Sequence, residues 1–263
     1  MLVFAAITPH SPLLIPAFEG KEDVQLEKTK EAMRQLEKDL YISKAETIII
    51  LSPHGQCLDG AFGVNLNTTC QTNYAALGDL ATKHTYAIDA VTGTTIKEHA
   101  QKQGFEMQMT TQDTVDHGIG VPLQFLTEHL KKAQVVPVSV CGIADSKTHF
   151  NFGYVLKEVA MNSHKPIALI ASADLSHALT TDSPAGFKKE GPLFDEKIQE
   201  ALQGGNSSGM LSWEPAFVEA ASACGFKPII TLMGALQRVN YTFKLLSYEA
   251  PHGVGYMVAE CVL

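Results

Sequence analysis

Four short apolar runs, Leu2–Ile7, Thr47–Leu51, Gln134–Val140 and Pro166–Ala171, most constrain how this chain can fold. They lack regular polar alternation, so each reads as a strand buried on both faces, the condition of strands at the centre of a helix-covered sheet. The stretches between them are amphipathic. In Asp23–Leu40, Val24, Leu26, Met33, Leu36 and Leu40 recur at helical spacing among Lys and Glu, which predicts a helix with one packed and one solvated face. Further helices are predicted at Thr94–Gln103, Val121–Lys132, Thr148–Asn162, Leu193–Leu202, Glu214–Ala223 and Pro228–Val239. The C-terminal pair Tyr241–Tyr248 and Gly255–Val262 reads as a hairpin completing the sheet. Together these elements predict an α/β fold with a mixed central sheet flanked by helices, built as a single domain over residues 1–263.

Composition narrows the partners. With 45% hydrophobic and 18% charged residues the 263-residue chain can bury one large core, and a net charge of -8 argues against binding nucleic acid or anionic lipid. The five cysteines, Cys57, Cys70, Cys141, Cys224 and Cys261, contain no CxxC pair, so neither a disulfide framework nor a thiolate zinc ribbon is expected. The apolar start lacks a basic lead-in and is broken by Pro9, Pro12 and Pro16, and no apolar run is long enough to span a bilayer. These features predict a cytoplasmic protein that meets small molecules rather than nucleic acid or membrane. No GxxxxGK[ST] or GxGxxG motif occurs, and no strand leads into a GxSxG elbow, since Gly205-Asn206-Ser207-Ser208-Gly209 lies in an Asn/Ser-rich turn after a predicted helix; nucleotide binding and triad hydrolysis are left without support. Gly204-Gly205 reads as a helix stop, and Thr180–Gly191, rich in Ser, Pro, Gly and Lys, as a mobile surface loop near the site.

Position sorts the ten histidines. His10 follows the first strand in Thr8-Pro9-His10-Ser11-Pro12, and His54 follows the second in Ser52-Pro53-His54-Gly55. His177 follows the strand Pro166–Ala171 through Asp174-Leu175-Ser176, and His117 stands before a helix in Asp116-His117-Gly118. Ligands of open α/β sheets bind outside the carboxyl ends of the strands, so these loops can converge despite their separation in the chain. Any one of these histidines alone is as readily a packed polar residue, but two Pro-His loops are hard to explain by packing. His10 and His54 are therefore candidate ligands of one metal ion. His84, His99, His129, His149 and His164 read as surface residues, and the loop of His252 borders the expected crevice. Two imidazoles do not choose a metal, and Glu219, Glu249, Asp174 or Cys224 could supply a further donor.

At these residues the sequence resembles the class III extradiol ring-cleavage dioxygenases of the catalytic B-subunit (LigB) type and their Memo-like relatives. The resemblance runs through nearly the whole chain, from Thr8-Pro9-His10, Ser52-Pro53-His54-Gly55, Asp116-His117-Gly118 and Asp174-Leu175-Ser176-His177 to Ala223-Cys224-Gly225, Gly234-Ala235-Leu236 and Gly253-Val254-Gly255-Tyr256. It implies a phosphorylase/hydrolase-like architecture, His10 and His54 as metal ligands, His177 as acid/base and His117 lining the pocket. Asp174, three residues before His177, reads equally well as orienting a ligand or as capping the following turn. Ring-cleaving members take a glutamate as third ligand, whereas Memo-like proteins place a cysteine in a Cys-Gly resembling Cys224-Gly225. Cys224 is thus the first choice for the third ligand and Glu219 the second.

What the resemblance implies is an iron(II) enzyme cleaving a catechol-like aromatic diol with dioxygen, with zinc or copper as alternative metals. A homo-oligomer or a second subunit belongs to the same expectation. The alternatives are a Memo-like metal-binding protein with a redox or interaction role and no ring cleavage, or a zinc-dependent hydrolase using metal-bound water.

Overall fold

The computed structural model describes residues 1–18, 26–56, 60–140 and 145–263. The start of the helix predicted from Asp23, and Cys57 and Cys141, lie outside them. Along the chain the elements run β1 (Leu2–Thr8), α1 (Glu27–Ser43), β2 (Thr47–Ser52), β3 (Phe62–Asn65), β4 (Thr69–Thr72), β5 (Thr85–Ala87) and α2 (Ala90–Lys102). There follow β6 (Met107–Thr110), β7 (Thr114–Val115), α3 (His117–Leu126), β8 (Gln134–Ser139), α4 (Ser146–Asn162) and β9 (Ile167–Ser172). The chain ends with α5 (Glu190–Gln203), α6 (Pro215–Ala221), α7 (Phe226–Ala235), β10 (Thr242–Glu249) and β11 (Tyr256–Val262).

Eight strands form one sheet in the order β10-β11-β1-β9-β2-β8-β3-β6. Its centre, β1-β9-β2-β8, is parallel throughout, and these are the four apolar runs of the sequence. β11 joins β1 antiparallel and β10 joins β11, so the predicted C-terminal hairpin forms one edge. A separate small sheet, β5-β4-β7, lies outside it. Sequence patterning did not indicate β3 to β7, because strands such as Thr69–Thr72 and Thr114–Val115 are two to four residues long and too polar to carry a period.

Alternate residues of the central strands feed two cores. Phe4, Ala6, Ile48 and Ile50 pack with Met33, Leu36 and Leu40 of α1 and with Ile119 and Leu123 of α3. Ala5, Ile7, Ile49 and Leu51 face the opposite layer, with Phe152, Val155 and Leu156 of α4 and Ile229, Ile230 and Met233 of α7. In that layer α4 and α7 approach backbone to backbone: a Cβ on Gly153 would lie 1.9 Å from the Thr231 carbonyl oxygen, and one on Gly234 1.9 Å from that of Phe150. The same packing corrects the expectation for His149, which lies fully buried on the inner face of α4 against the Phe62 ring.

Two buried carboxylates tie elements together. Asp89 caps α2 through Thr92 N and accepts from Thr47 Oγ1 at the start of β2 and from Lys165 Nζ ahead of β9. Burial would raise its carboxyl, but these bonds outweigh burial and hold it at about 2. Asp195 of α5 accepts from Ser176 N and from the Tyr248 hydroxyl of β10. Its burial prevails, pushing the carboxyl up to about 6. The segment expected to be a mobile loop, Thr180–Gly191, is pinned instead: Ser183 Oγ donates to the Gly253 carbonyl, Ala185 N to that of His177 and Lys188 N to that of Ala178. Gly204 ends α5 as expected. Among the described residues no helix is long and apolar enough to cross a membrane.

Candidate metal centre

The parallel register sets the geometry of the site. Thr8 of β1 pairs with Ser172 of β9, Leu51 of β2 pairs with Ala171, and Ser52 pairs with Ser139 of β8, so four hydroxyl residues form a row at the carboxyl edge of the sheet. Two positions past three of these strand ends stand His10, Asp174 and His54. Adjacent parallel strands ending level therefore bring together residues separated by up to 164 positions in the chain.

His10 is buried, at 1% exposure, and its Nε2 lies 3.1 Å from Nε2 of His54, which faces solvent. Cys224 arrives from the other end of the chain. α6 stops at Ser222, which takes a left-handed conformation at φ 53°, and the turn into α7 places Cys224 Sγ 3.3 Å from His10 Nε2. One ligand atom from each of His10, His54 and Cys224 lies within 4.8 Å of the other two, the group of potential metal donors among the described residues. The separations of 3.1 and 3.3 Å from His10 Nε2 suit one ion, since donors at about 2.0–2.1 Å (N) and about 2.3 Å (S) from a shared metal sit roughly 3–4 Å apart. Glu219, the other candidate third ligand, is exposed on α6 and does not belong to this group. Glu249 is engaged elsewhere, accepting from Thr29 N in the first turn of α1.

Asp174 holds the centre together. Its Oδ1 accepts from the His10 backbone N–H at 2.8 Å, and its own carbonyl accepts from Gly225 N at 2.9 Å and from the Cys224 thiol at 3.7 Å. Burial pushes its carboxyl up to about 7 against the lowering effect of the His10 bond. On the other side His117 stacks on His54, with ring centroids 4.6 Å apart, and meets His10 edge-on at 5.5 Å. Ser52 orders this pair: its Oγ donates to Asp116 Oδ1 and accepts from His54 N. His177 sets Nδ1 3.1 Å from the Leu175 carbonyl.

Electrostatics keep the donors neutral. Burial, followed by the nearby His54, His117 and His177 rings, holds His10 well below the ordinary imidazole range. Burial likewise lowers His54, His117 and His177, and it pushes the Cys224 thiol far above its ordinary value with Asp174 adding to the effect. Neutral imidazoles offer lone pairs, and a thiol so placed gives up its proton when a cation arrives. Beside His54 a polar cleft of about 270 Å³ opens between Gln56, Asn73, Gln112 and Asp116. Ser52, Asp116 and Ser172 were not singled out from sequence. The available signal was the hydroxyl that closes each strand just before its Pro-His or Ala-Asp step.

Comparison with known proteins gives the family and the fold. A protein of Clostridium acetobutylicum is 27% identical over 97% of this chain and 56% of its own length. A MEMO1 family protein of Methanosarcina barkeri is 29% identical over 51% of this chain and 48% of its own, and one of Methanococcus maripaludis 28% identical over 56% and 50%. The chain thus spans about half the length of the curated relatives it matches. The crystal structure of an uncharacterized protein from Escherichia coli K12 superposes with a TM-score of 0.69 over 98% of this chain and 99% of that one, at 15% identity, which shows a shared fold. The family described as the catalytic LigB subunit of aromatic ring-opening dioxygenase matches residues 4–259, and the chain belongs to it.

Proposed function

We propose that this chain is a metal-dependent redox protein whose mononuclear centre is held by His10, His54 and Cys224. The observation that carries the reading is the meeting of two imidazole nitrogens and a thiol sulfur from three distant segments. A thiolate in the donor set favours iron, copper or zinc over magnesium or calcium. Bound there, the ion would supply Lewis acidity and, as iron or copper, one-electron chemistry with dioxygen.

The chain's own groups supply the rest. His10 is held from both sides, by Asp174 at its backbone and by Ser172 at Nδ1, so its ring is oriented in advance. His54 lines the polar cleft with its ring stacked on His117, and a small molecule would enter there. His177 sets Nδ1 against the Leu175 carbonyl and also meets the Ser222 backbone, contacts that orient its ring to exchange a proton with a hydroxylated substrate.

Extradiol cleavage of a catechol-like diol by the iron(II) form is the second reading, favoured by the family description and by His177 as acid/base. It stands second because a carboxylate would complete the two-His-one-carboxylate set suited to iron(II) and dioxygen, whereas the donors that lie together are His10, His54 and Cys224, with the Asp174 carboxylate 3.7 Å from His10 Nε2.

Elemental analysis of the full chain purified without added metal, followed by titration with zinc, copper(I) and iron(II), tests the first reading. One ion per chain, with affinity reduced at least about tenfold in Cys224→Ser and His54→Ala, is expected. Unchanged affinity in Cys224→Ser overturns it. Oxygen uptake and a yellow product when the anaerobically iron-loaded protein meets a catechol panel would promote the second reading.

A further inference from the structure

We propose that Ser172 is a positioning residue that fixes the tautomer of His10, keeping the proton on Nδ1 and the lone pair on Nε2. That this lone pair serves a metal rests on the proposed function; the tautomer itself does not.

The argument is a count of protons. Ser172 Oγ has two partners, the carbonyl oxygen of Gly118 in the first turn of α3 and Nδ1 of His10 at 2.8 Å. A carbonyl oxygen can only accept, so the single hydroxyl proton of Ser172 goes to Gly118. What remains at Oγ toward His10 is a lone pair, and Nδ1 must therefore be the donor. A neutral imidazole carries one proton, so Nε2 is bare. That atom is the one 3.1 Å from His54 Nε2 and 3.3 Å from Cys224 Sγ.

Burial makes the assignment durable. Ser172 is fully buried and His10 nearly so, which leaves little water to offer Nδ1 another partner. The position is also informative: β9 is apolar from Ile167 to Ala171 and turns polar only at Ser172, its last residue. By bonding Gly118, Ser172 also ties His10 to the helix that begins with His117, so both rings are referenced to one hydroxyl.

The test uses the metal-free full chain labelled with 15N-histidine. Long-range proton–nitrogen correlation spectra at neutral pH distinguish the two tautomers, and the signal lost in His10→Gln identifies the residue. Wild type is expected to show the Nδ1–H pattern. Ser172→Ala is expected to shift it toward Nε2–H and to weaken zinc binding, measured by chelator competition, about 10- to 100-fold. Ser172→Thr, which restores a hydroxyl, should return the Nδ1–H pattern. An Nε2–H pattern in wild type overturns the proposal without any variant, and so does an unchanged Nδ1–H pattern in Ser172→Ala. A serine with only a structural role would alter stability and leave the tautomer in place. Failure of the wild type to bind zinc would count against the metal reading alone, because the tautomer is read from the metal-free protein.

Discussion

Replacing Gly225 by alanine should disarm the centre without altering any donor side chain. A Cβ at this position would lie 2.5 Å from both Ala173 Cβ and the Asp174 carbonyl oxygen, and 2.7 Å from Ala173 Cα. Carbon contacts settle near 3.5–4.0 Å, so the chain must retreat by about 1 Å. Ala173 and Asp174 directly follow β9, which is held between β1 and β2, so the displacement falls on the turn that carries Cys224. The bond from Gly225 N to the Asp174 carbonyl stretches with it. Overpacking of this kind costs about 1–3 kcal/mol. If an ion must draw the turn back against that strain, affinity falls roughly 5- to 150-fold. Zinc competition titration of Gly225→Ala beside Cys224→Ser, with urea unfolding of both metal-free proteins, measures the two effects separately. Wild-type affinity together with wild-type stability in Gly225→Ala would refute the claim that Cys224 is placed by this contact.

Three further outcomes follow from the geometry. His177→Gln should bind metal as wild type does, while turnover per bound metal with any substrate found drops about 10²- to 10⁴-fold, the usual worth of a positioned acid/base; equal losses in binding and turnover would make His177 a ligand instead. Asp89→Ala removes the cap of α2 and strands the buried Thr47 hydroxyl, and should lose about 2–4 kcal/mol in urea unfolding at neutral pH. Because the folded Asp89 carboxyl sits at about 2 against an ordinary 3.8, its stabilisation is present above about pH 4 and is lost as pH falls toward 2, so the variant should show a flatter acid limb over that window. Asp195 has the opposite sign: raised to about 6, it makes stability fall as pH rises from about 4 to 6, by at most about 3 kcal/mol. Asp195→Asn should remove that decline, and an unchanged slope of unfolding midpoint against pH would show that the carboxyl is not protonated in the fold.

The centre of the fold was readable because burial on both faces leaves a mark: the runs around Ile7, Ile49, Val136 and Leu169 carry no polar alternation and became β1, β2, β8 and β9. The outer strands left no such mark. His10 and His54 were readable for a related reason, since a Pro-His step directly after a buried strand puts the ring at the strand's carboxyl edge whatever the rest of the fold does. The preference for Cys224 over Glu219 comes from the resemblance alone and from no local pattern. Both lie near the end of α6, and the choice depends on where that helix stops and how the next turn packs against Ala173, a tertiary fact without a local period. His149 is illegible for the converse reason: a histidine on an amphipathic helix reads outward by polarity, whereas here the facing Phe62 ring accommodates it.

Asp174 shows why fold and site are hard to separate here. One residue fastens the loop after β1 through the His10 backbone, the turn before α7 through Gly225 and Cys224, and the start of β11 through its bridge to Tyr256. Donors presented by three segments are thus aligned by hydrogen bonds that form on folding, which lowers the ordering cost that an ion would otherwise have to meet on binding. The penalty is desolvation, visible in a carboxyl pushed up to about 7 and a thiol raised far above its ordinary value side by side in one enclosure. A cation among His10, His54 and Cys224 relieves both, since its charge favours the thiolate and the carboxylate together. Metal binding should therefore release protons and strengthen as pH rises, a linkage that a site made only of imidazoles, already neutral at neutral pH, would show weakly.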